Sequence, residues 1–134
     1  MALLPSIGGG EQIGDGNLNE IQLFYSAAPT TATVTATLTV PQILGNILVA
    51  SPGTTAAAYT LPTGALLDAT LVNAHIGSTF DLFVVNLGTT SGVVTMTAGT
   101  GWTLVGTATI AIGTSTQYRA RKTGAGTWTL YTIA

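Results

Sequence analysis

Charged residues are scarce in this sequence. Only three of its 134 residues are Lys or Arg and five are Asp or Glu, so charged residues make up 6% of the chain. Soluble domains average about 25% charged residues. A surface with so few charges is poorly protected against association. We therefore expect that part of the surface is buried in an obligate assembly.

The small number of charges also limits the partners. The formal net charge is −2, and the basic residues form a single cluster of Arg119, Arg121 and Lys122. Nucleic-acid binding requires a broad basic surface. We interpret the cluster as a solvated rim or as ion-pair partners, and we expect no nucleic-acid partner.

Cysteine is absent, and His75 is the only histidine. Disulfides and Cys-ligated metals are therefore excluded, and a His cluster for a metal is missing. No run of 18 apolar residues could span a membrane, although the mean hydropathy is +0.52. The first ten residues, MALLPSIGGG, lack the basic region of a secretory signal. We expect no metal, no cofactor and no membrane partner.

Residues of the types used in hydrolytic triads lie close in sequence at His75, Ser78 and Asp81. Closeness in sequence is not convergence in space, and no G-x-S-x-G turn is present. We interpret His75 as a residue at a helix end, bonded to the last carbonyls. Asp81 falls in an apolar strand, where an isolated carboxylate is costly to bury, so we predict that it pairs with Arg119 or Arg121. The sequence predicts no catalytic residues and no enzyme activity.

Asp15, Asn17 and Asn19 have the spacing of a calcium-binding loop. However, Glu20 occupies the position where that loop needs Gly, and Ser26 the position where it needs Glu. A polar turn is therefore the better interpretation, and we predict no metal site here.

Residues 79–133 consist of short runs of β-branched and aromatic residues, each closed by Gly with Thr, Ser or Asn. This pattern predicts short antiparallel strands joined by tight turns. In the last strand, Trp128 and Leu130 fall on one face, which we assign to the core, and Thr129 on the other. Phe80–Leu87 is apolar on both faces. Such a strand is covered on both sides, either centrally in the domain or against another subunit.

The first part of the chain is less regular. Residues 1–20 are rich in glycine and predict an extended arm. Residues 31–40 alternate Thr with Val and Leu and predict a strand with a Thr-rich outer face. A helix is predicted over Ala65–Ala74, with Thr63 as its N-cap and Gly77 closing it. Two further strands are expected at Glu20–Tyr25 and Ile47–Ala50.

Together these patterns predict an all-β fold. We expect a small antiparallel β-sandwich, jelly-roll-like, with one short helix and an extended N-terminal arm. The arm covers residues 1–20 and the β-sandwich domain residues 21–134. At this length the chain forms one domain with its own core.

Several segments occur in an order that resembles a known group of proteins. They are Tyr59–Thr63, Ser78–Asn86, Ala98–Gly106, Arg119–Gly124 and Trp128–Tyr131. This order resembles small virion proteins of tailed bacteriophages, in particular capsid decoration (cement) proteins and related head or tail fibre domains. The resemblance covers about residues 45–134. It implies a β-sandwich or jelly-roll-like unit that is usually a homotrimer and has no catalytic residues.

Two functions are compatible with this resemblance. The first is a structural cement that sits as a homotrimer on the outside of the virion capsid and bridges subunits of the major capsid protein. The second is a fibre or receptor-binding domain that recognises a glycan or protein on the host surface. The short, nearly uncharged chain with a Gly-rich arm favours the cement, since a fibre head normally follows a long trimeric shaft.

Overall fold

A computed structural model describes residues 11–12, 22–23 and 25–134 of the chain. The helices within this part are α1 (Val40–Leu44) and α2 (Gly64–Thr70). The strands are β1 (Glu11–Gln12), β2 (Gln22–Leu23), β3 (Thr30–Ala32), β4 (Ala36–Thr37), β5 (Ile47–Ala50), β6 (Ala57–Thr60), β7 (Thr79–Asn86), β8 (Val94–Thr97), β9 (Trp102–Val105), β10 (Thr109–Ile110), β11 (Ser115–Gly124) and β12 (Thr127–Thr132).

Two facing sheets form the body of the molecule. The large sheet has six strands in the order β3-β5-β7-β11-β12-β9, and the small sheet has four in the order β10-β8-β6-β4. From β3 to β10, each successive strand belongs to the other sheet. The short strands β1 and β2 form a separate antiparallel pair.

This alternation makes much of the pairing parallel. β3 with β5, β5 with β7, β4 with β6 and β6 with β8 are all parallel pairs. Each strand reaches its neighbour through a strand of the facing sheet, so the chain returns in its original direction. Antiparallel pairing is confined to β7–β11–β12 and β8–β10 within the body.

The prediction of an all-β, antiparallel, jelly-roll-like sandwich is therefore wrong. The molecule is a mixed α/β structure whose two sheets contain both parallel and antiparallel strands. The prediction failed because side chains alternate with a period of two in both parallel and antiparallel strands, so the sequence pattern does not distinguish the two kinds of pairing. Parallel neighbours need a long crossover, and here that crossover contains a strand of the facing sheet, with α2 added between β6 and β7.

A single core fills the space between the sheets. Most strands of the two sheets contribute buried residues to it, including Leu48, Ala50, Tyr59, Leu82, Val84, Met96, Ile110, Tyr118, Ala120, Trp128 and Leu130. Burying one large apolar side chain contributes roughly 1.5–3 kcal/mol. The assignment of Trp128 and Leu130 to the core is confirmed, since they are 1% and 2% exposed. Trp102 stacks on Trp128, with ring centroids 6.0 Å apart.

The predicted strand over residues 31–40 is wrong. β3 ends at Ala32, the chain bends, and β4 lies in the other sheet. α1 then begins with a capping box, in which Gln42 N–H donates to Thr39 Oγ1 (3.4 Å) and Thr39 N–H donates to Gln42 Oε1 (2.8 Å). The Thr-x-x-Gln spacing that forms this box was the signal for a helix start within the apparent alternation.

The predicted N-cap of α2 is confirmed, because Leu66 N–H donates to the Thr63 hydroxyl at 3.2 Å. The helix ends at Thr70 and is shorter than the predicted Ala65–Ala74. Gly77 does not close it and instead adopts φ +95° in the turn before β7. The expectation of one short helix was also wrong, because α1 is a second one.

β7 lies in the interior of the large sheet, between β5 and β11. One face of the strand, with Leu82 and Val84, lies in the core, whereas Phe83 and Val85 on the other face are half-buried. The predicted strand Glu20–Tyr25 is represented by β2 alone within the described residues. The predicted arm, including the polar turn at Asp15, Asn17 and Asn19, lies outside the described residues except for β1.

Candidate functional site

The triad-type residues of the sequence do not converge. His75 is exposed in the turn before β7, and its backbone N–H donates to the Ser78 hydroxyl at 2.9 Å. Asp81 faces Arg119. α2 ends before residue 75, so the interpretation of His75 as a helix-end residue is wrong. The arrangement therefore aligns no nucleophile with a base.

Residues 11–12, 22–23 and 25–134 contain no group of three or more acidic or histidine side chains that could hold a metal ion. In the same residues, neither helix is long and apolar enough to cross a bilayer.

The predicted ion pair of Asp81 is present. Arg119 forms a two-point contact, with Nε 2.7 Å from Oδ1 and Nη2 3.1 Å from Oδ2 of Asp81. The two residues are direct cross-strand partners on β7 and β11. The hydrogen bonds from Arg119 hold the pKa of Asp81 below its ordinary value. Of the two predicted partners, Arg119 and not Arg121 makes the contact.

Sequence reasoning missed a second ion pair, centred on Asp68 of α2. Lys122 Nζ lies 2.9 Å from Oδ1 of Asp68. The Trp128 indole N–H donates to the same oxygen at 2.9 Å, and the Gly126 N–H donates to Oδ2 at 2.6 Å. The hydrogen bonds from Lys122 and Gly126 lower the pKa of Asp68. One carboxylate thus ties α2 to the β11–β12 hairpin.

These two pairs leave the body almost free of net charge. Residues 25–134 contain five charged side chains, namely Asp68, Asp81, Arg119, Arg121 and Lys122. The four in the two pairs neutralise each other. Arg121 alone among these five makes no ion pair within the described residues. The surface therefore offers little electrostatic attraction to a charged ligand.

The outer face of the large sheet carries an apolar patch. Ile47 pairs with Phe83 and Val49 with Val85 on the neighbouring strands β5 and β7. All four side chains are half-buried and alternate with core residues along their strands. We call these four residues the outer apolar block. A contiguous apolar patch of this kind is typical of a protein–protein contact.

A second apolar surface lies beside α2. A cleft of about 380 Å³ is lined mainly by Leu44, Leu71, Val72, Ala74, Phe80 and Trp128. Its remaining lining residues are uncharged Thr, Ser and Asn. We call this feature the α2 cleft. Its volume falls within the roughly 300–1,000 Å³ range of small-ligand pockets.

Both surfaces are suited to apolar docking, because the outer apolar block consists of apolar side chains and no charged side chain lines the α2 cleft. The rings of Trp102 and Trp128 are 7% and 1% exposed and do not present aromatic faces to solvent. Comparison of the chain with family models, with curated proteins and with solved structures finds no match, so its function has to be inferred from these surfaces.

Proposed function

We propose that this protein is a structural virion protein that binds the outside of an assembled phage capsid as a homotrimer. In this role it stabilises the capsid by bridging subunits of the major capsid protein, and its N-terminal arm, residues 1–20, forms part of the contact. The proposal starts from the resemblance of residues 45–134 to decoration proteins of tailed phages.

One observation carries the proposal: the body combines exposed apolar surface with paired charges. Val34, Val72 and Ile76 are among its large exposed apolar side chains. Single exposed apolar residues are common on monomers, but a body with one unpaired charge in 110 residues gains little solubility from electrostatics. Such a surface is consistent with a protein that works while covered by other subunits.

The outer apolar block is the surface we assign to the trimer contact. It lies on the neighbouring strands β5 and β7, and its side chains are only half-buried, so we expect substitutions there to change association more than folding. Gln117 and Ser115 border the block on β11, opposite Phe83 and Val85. A polar border around an apolar centre is the usual anatomy of a subunit interface.

A fibre or receptor-binding domain remains the alternative function. Glycan-binding sites commonly use exposed aromatic rings. Trp102 is 7% exposed and Trp128 is 1% exposed, so neither ring is available for stacking. The two tryptophans therefore give no support to a glycan site, although the side chain of Tyr25 is 97% exposed.

The experiment adds purified protein to mature, undecorated capsids and follows occupancy and resistance to heat. We expect saturable binding that increases the temperature of capsid disruption. Because the contact is mainly apolar, occupancy should be retained at high salt, which screens exposed charges. A protein lacking residues 1–20 should still form trimers but bind more weakly, since multivalent attachment loses one of its contacts.

Phe83→Glu tests the assigned trimer surface, and Thr103→Glu on the exposed edge strand β9 is its matched control. The first should weaken trimers and capsid binding together, and the control should leave both unchanged. If the unaltered protein ignores capsids but binds host cells, the cement proposal is wrong and the fibre alternative takes its place.

A further inference from the structure

The outer face of the small sheet is made almost entirely of threonine. Side chains alternate between the two faces of a strand, and core positions of β6 and β8 are taken by Tyr59 and Met96, which are 0% and 1% exposed. The outward positions of the four strands are all half-buried or exposed, and they carry Thr37, Ala58, Thr60, Thr95, Thr97 and Thr109. We call these six residues, together with the exposed Thr107, the threonine face.

Strand pairing arranges the threonine face in two rows. The first row crosses β4, β6 and β8 through the direct partners Thr37, Thr60 and Thr97. Met96 N–H donates to the Ala108 carbonyl at 2.9 Å, which places Thr107 opposite Thr97 and extends this row to four residues.

The second row runs beside the first, two residues away along each strand. It crosses β6, β8 and β10 through the direct partners Ala58, Thr95 and Thr109. The threonine face is therefore an array that repeats in two directions, along the strands and across them.

The backbone sets both spacings of this array. Neighbouring strands lie about 4.8 Å apart, and outward residues of one strand lie about 6.7 Å apart. Threonine is β-branched, so its χ1 angle is restricted. The hydroxyls of Thr60 and Thr97 lie 2.8 Å apart in a hydrogen bond, and Ala58 N–H donates to the Thr35 hydroxyl at 3.0 Å, which holds β4 against β6. The methyl and hydroxyl groups are thus positioned before any ligand binds.

The chemistry of the threonine face restricts what can bind. The five charged side chains of residues 25–134 all lie outside the four strands of the small sheet, so a charged ligand would find no opposite charge there. Tyr59 is the aromatic residue of these strands, and its ring points into the core, where a sugar cannot stack on it. The ligand should be uncharged and should offer hydrogen-bonding groups at regular intervals.

Water in ice has these properties. A threonine hydroxyl donates one hydrogen bond and accepts two, so each row can hold a line of water molecules at the strand spacing, and the second row repeats that line. The surface of ice is a lattice of water molecules that repeats in two directions at intervals of this size. A preorganised array loses little conformational freedom when it binds such a lattice.

We propose that the threonine face of the small sheet binds the surface of ice. Its hydroxyls hold water molecules at lattice positions, and its methyl groups fill the spaces between them. This inference goes beyond the proposed function and does not depend on it, because the outer apolar block assigned to the trimer contact lies on the large sheet.

The first experiment follows a single ice crystal in a solution of the purified full-length protein. A protein bound to ice stops growth of the crystal over a range below its melting temperature and gives it flat facets. We expect both effects to increase with protein concentration. A crystal that grows as a round disc as soon as it is cooled below its melting temperature would overturn the proposal.

A variant in the middle of the first row locates the binding surface. Thr97→Lys places a long charged side chain between the rows and should abolish both effects. Thr103→Lys on β9, an exposed threonine of the large sheet, is the matched control and should retain them. Equal effects of the two variants on the crystal would show that ice binds elsewhere and would contradict the proposal.

A second variant separates binding from folding. Thr109→Lys lies at an exposed position of the second row and keeps the hydrogen bond between Thr60 and Thr97. We expect it to weaken the arrest of ice growth while circular dichroism and the unfolding midpoint stay unchanged. Undiminished arrest of growth in this variant would contradict the assignment of the second row.

Partition into slowly growing ice gives an independent measurement. Growing ice excludes a protein that does not bind it and incorporates one that does. The unaltered protein and Thr103→Lys should be incorporated, and Thr97→Lys should remain in the liquid. Exclusion of the unaltered protein from the ice would overturn the proposal, and because the assay contains no capsids, its outcome is independent of the cement function.

Discussion

The two aspartate ion pairs of the body lie on opposite faces of β11 and differ in how they are built. Arg119 faces outward with Asp81, and their side chains are 49% and 31% exposed. Lys122, three residues later, lies on the other face with Asp68, and these side chains are 13% and 22% exposed. The first pair joins two strands that backbone hydrogen bonds already hold together. The second joins a helix to a hairpin.

The geometry of an ion pair alone therefore does not determine how much stability the protein loses when the pair is removed. Arg119 makes a two-point contact with Asp81, but both groups are accessible to water, which competes for their hydrogen bonds. The backbone hydrogen bonds between β7 and β11 also hold these two residues side by side without the ion pair. Asp68 accepts hydrogen bonds from three groups on the β11–β12 hairpin, including the buried indole of Trp128. Removing a carboxylate from such a network leaves donors without partners, which costs more than the pair contributes.

The largest effect should come from Trp128, the residue on which the Asp68 region is packed. Its ring lies 5.7 Å from Phe80 and 6.0 Å from Trp102, between centroids. Trp128→Ala removes these contacts and leaves a cavity, so we expect the free energy of unfolding to fall by about 3–5 kcal/mol. Denaturant unfolding measures this loss. An unchanged unfolding midpoint would contradict the assigned facing of β12.

Asp68→Ala should have the next largest effect. It leaves the Trp128 and Gly126 N–H groups and the Lys122 ammonium without their acceptor, which we expect to cost about 1–3 kcal/mol. Asp68→Asn is the matched control, because it removes the charge and one of the two acceptor oxygens but keeps the other. It should lose less stability in the same unfolding measurement. Equal losses for the two variants would show that the remaining acceptor oxygen contributes nothing, and would contradict the expected order.

The pH dependence should separate the two regions further. A carboxyl whose pKa is lower in the folded than in the unfolded state stabilises the fold fully above its unfolded pKa. That stabilisation is lost as the pH falls through the folded pKa, which here means below about pH 4. The pKa values of Asp68 and Asp81 are both lowered. We expect Asp68→Asn to flatten the acid part of the stability curve more than Asp81→Asn, as measured by thermal unfolding between about pH 5 and pH 2. The reverse order would contradict the comparison.

The smallest effect should come from the exposed pair. Asp81→Ala and Arg119→Ala should each destabilise the protein only slightly, since solvent already competes for both groups. In a double-mutant cycle the two losses should be partly non-additive, because the side chains are in contact. Arg121→Ala combined with Asp81→Ala is the control and should be additive. Additive losses for Asp81 and Arg119 would indicate that they do not interact in solution.

Local features of the fold could be predicted because each depends on residues close in sequence. The Thr63 N-cap, the strand at residues 47–50 and the inward facing of Trp128 all follow from short-range patterns that the structure retains. The Asp81 pair could be predicted because an unpaired carboxylate in an apolar strand needs a cation, and the only basic cluster offers one.

The long-range features could not be predicted in the same way. Parallel and antiparallel strands show the same alternation, so the passage of the chain between the two sheets has no signature in the sequence. Asp68 lies in a helix where an acidic residue is ordinary, and its partners Gly126 and Trp128 follow almost sixty residues later. The α2 cleft depends on the early end of α2, which no Gly or Pro marks.

We propose that the nearly neutral, apolar surface of the body is an assembly surface. The most direct measurement is the mass of the purified protein in solution at micromolar concentration, by sedimentation or light scattering. The account predicts a homotrimer that persists at high salt and dissociates in Phe83→Glu but not in Thr103→Glu. A stable monomer for the unaltered protein would contradict it.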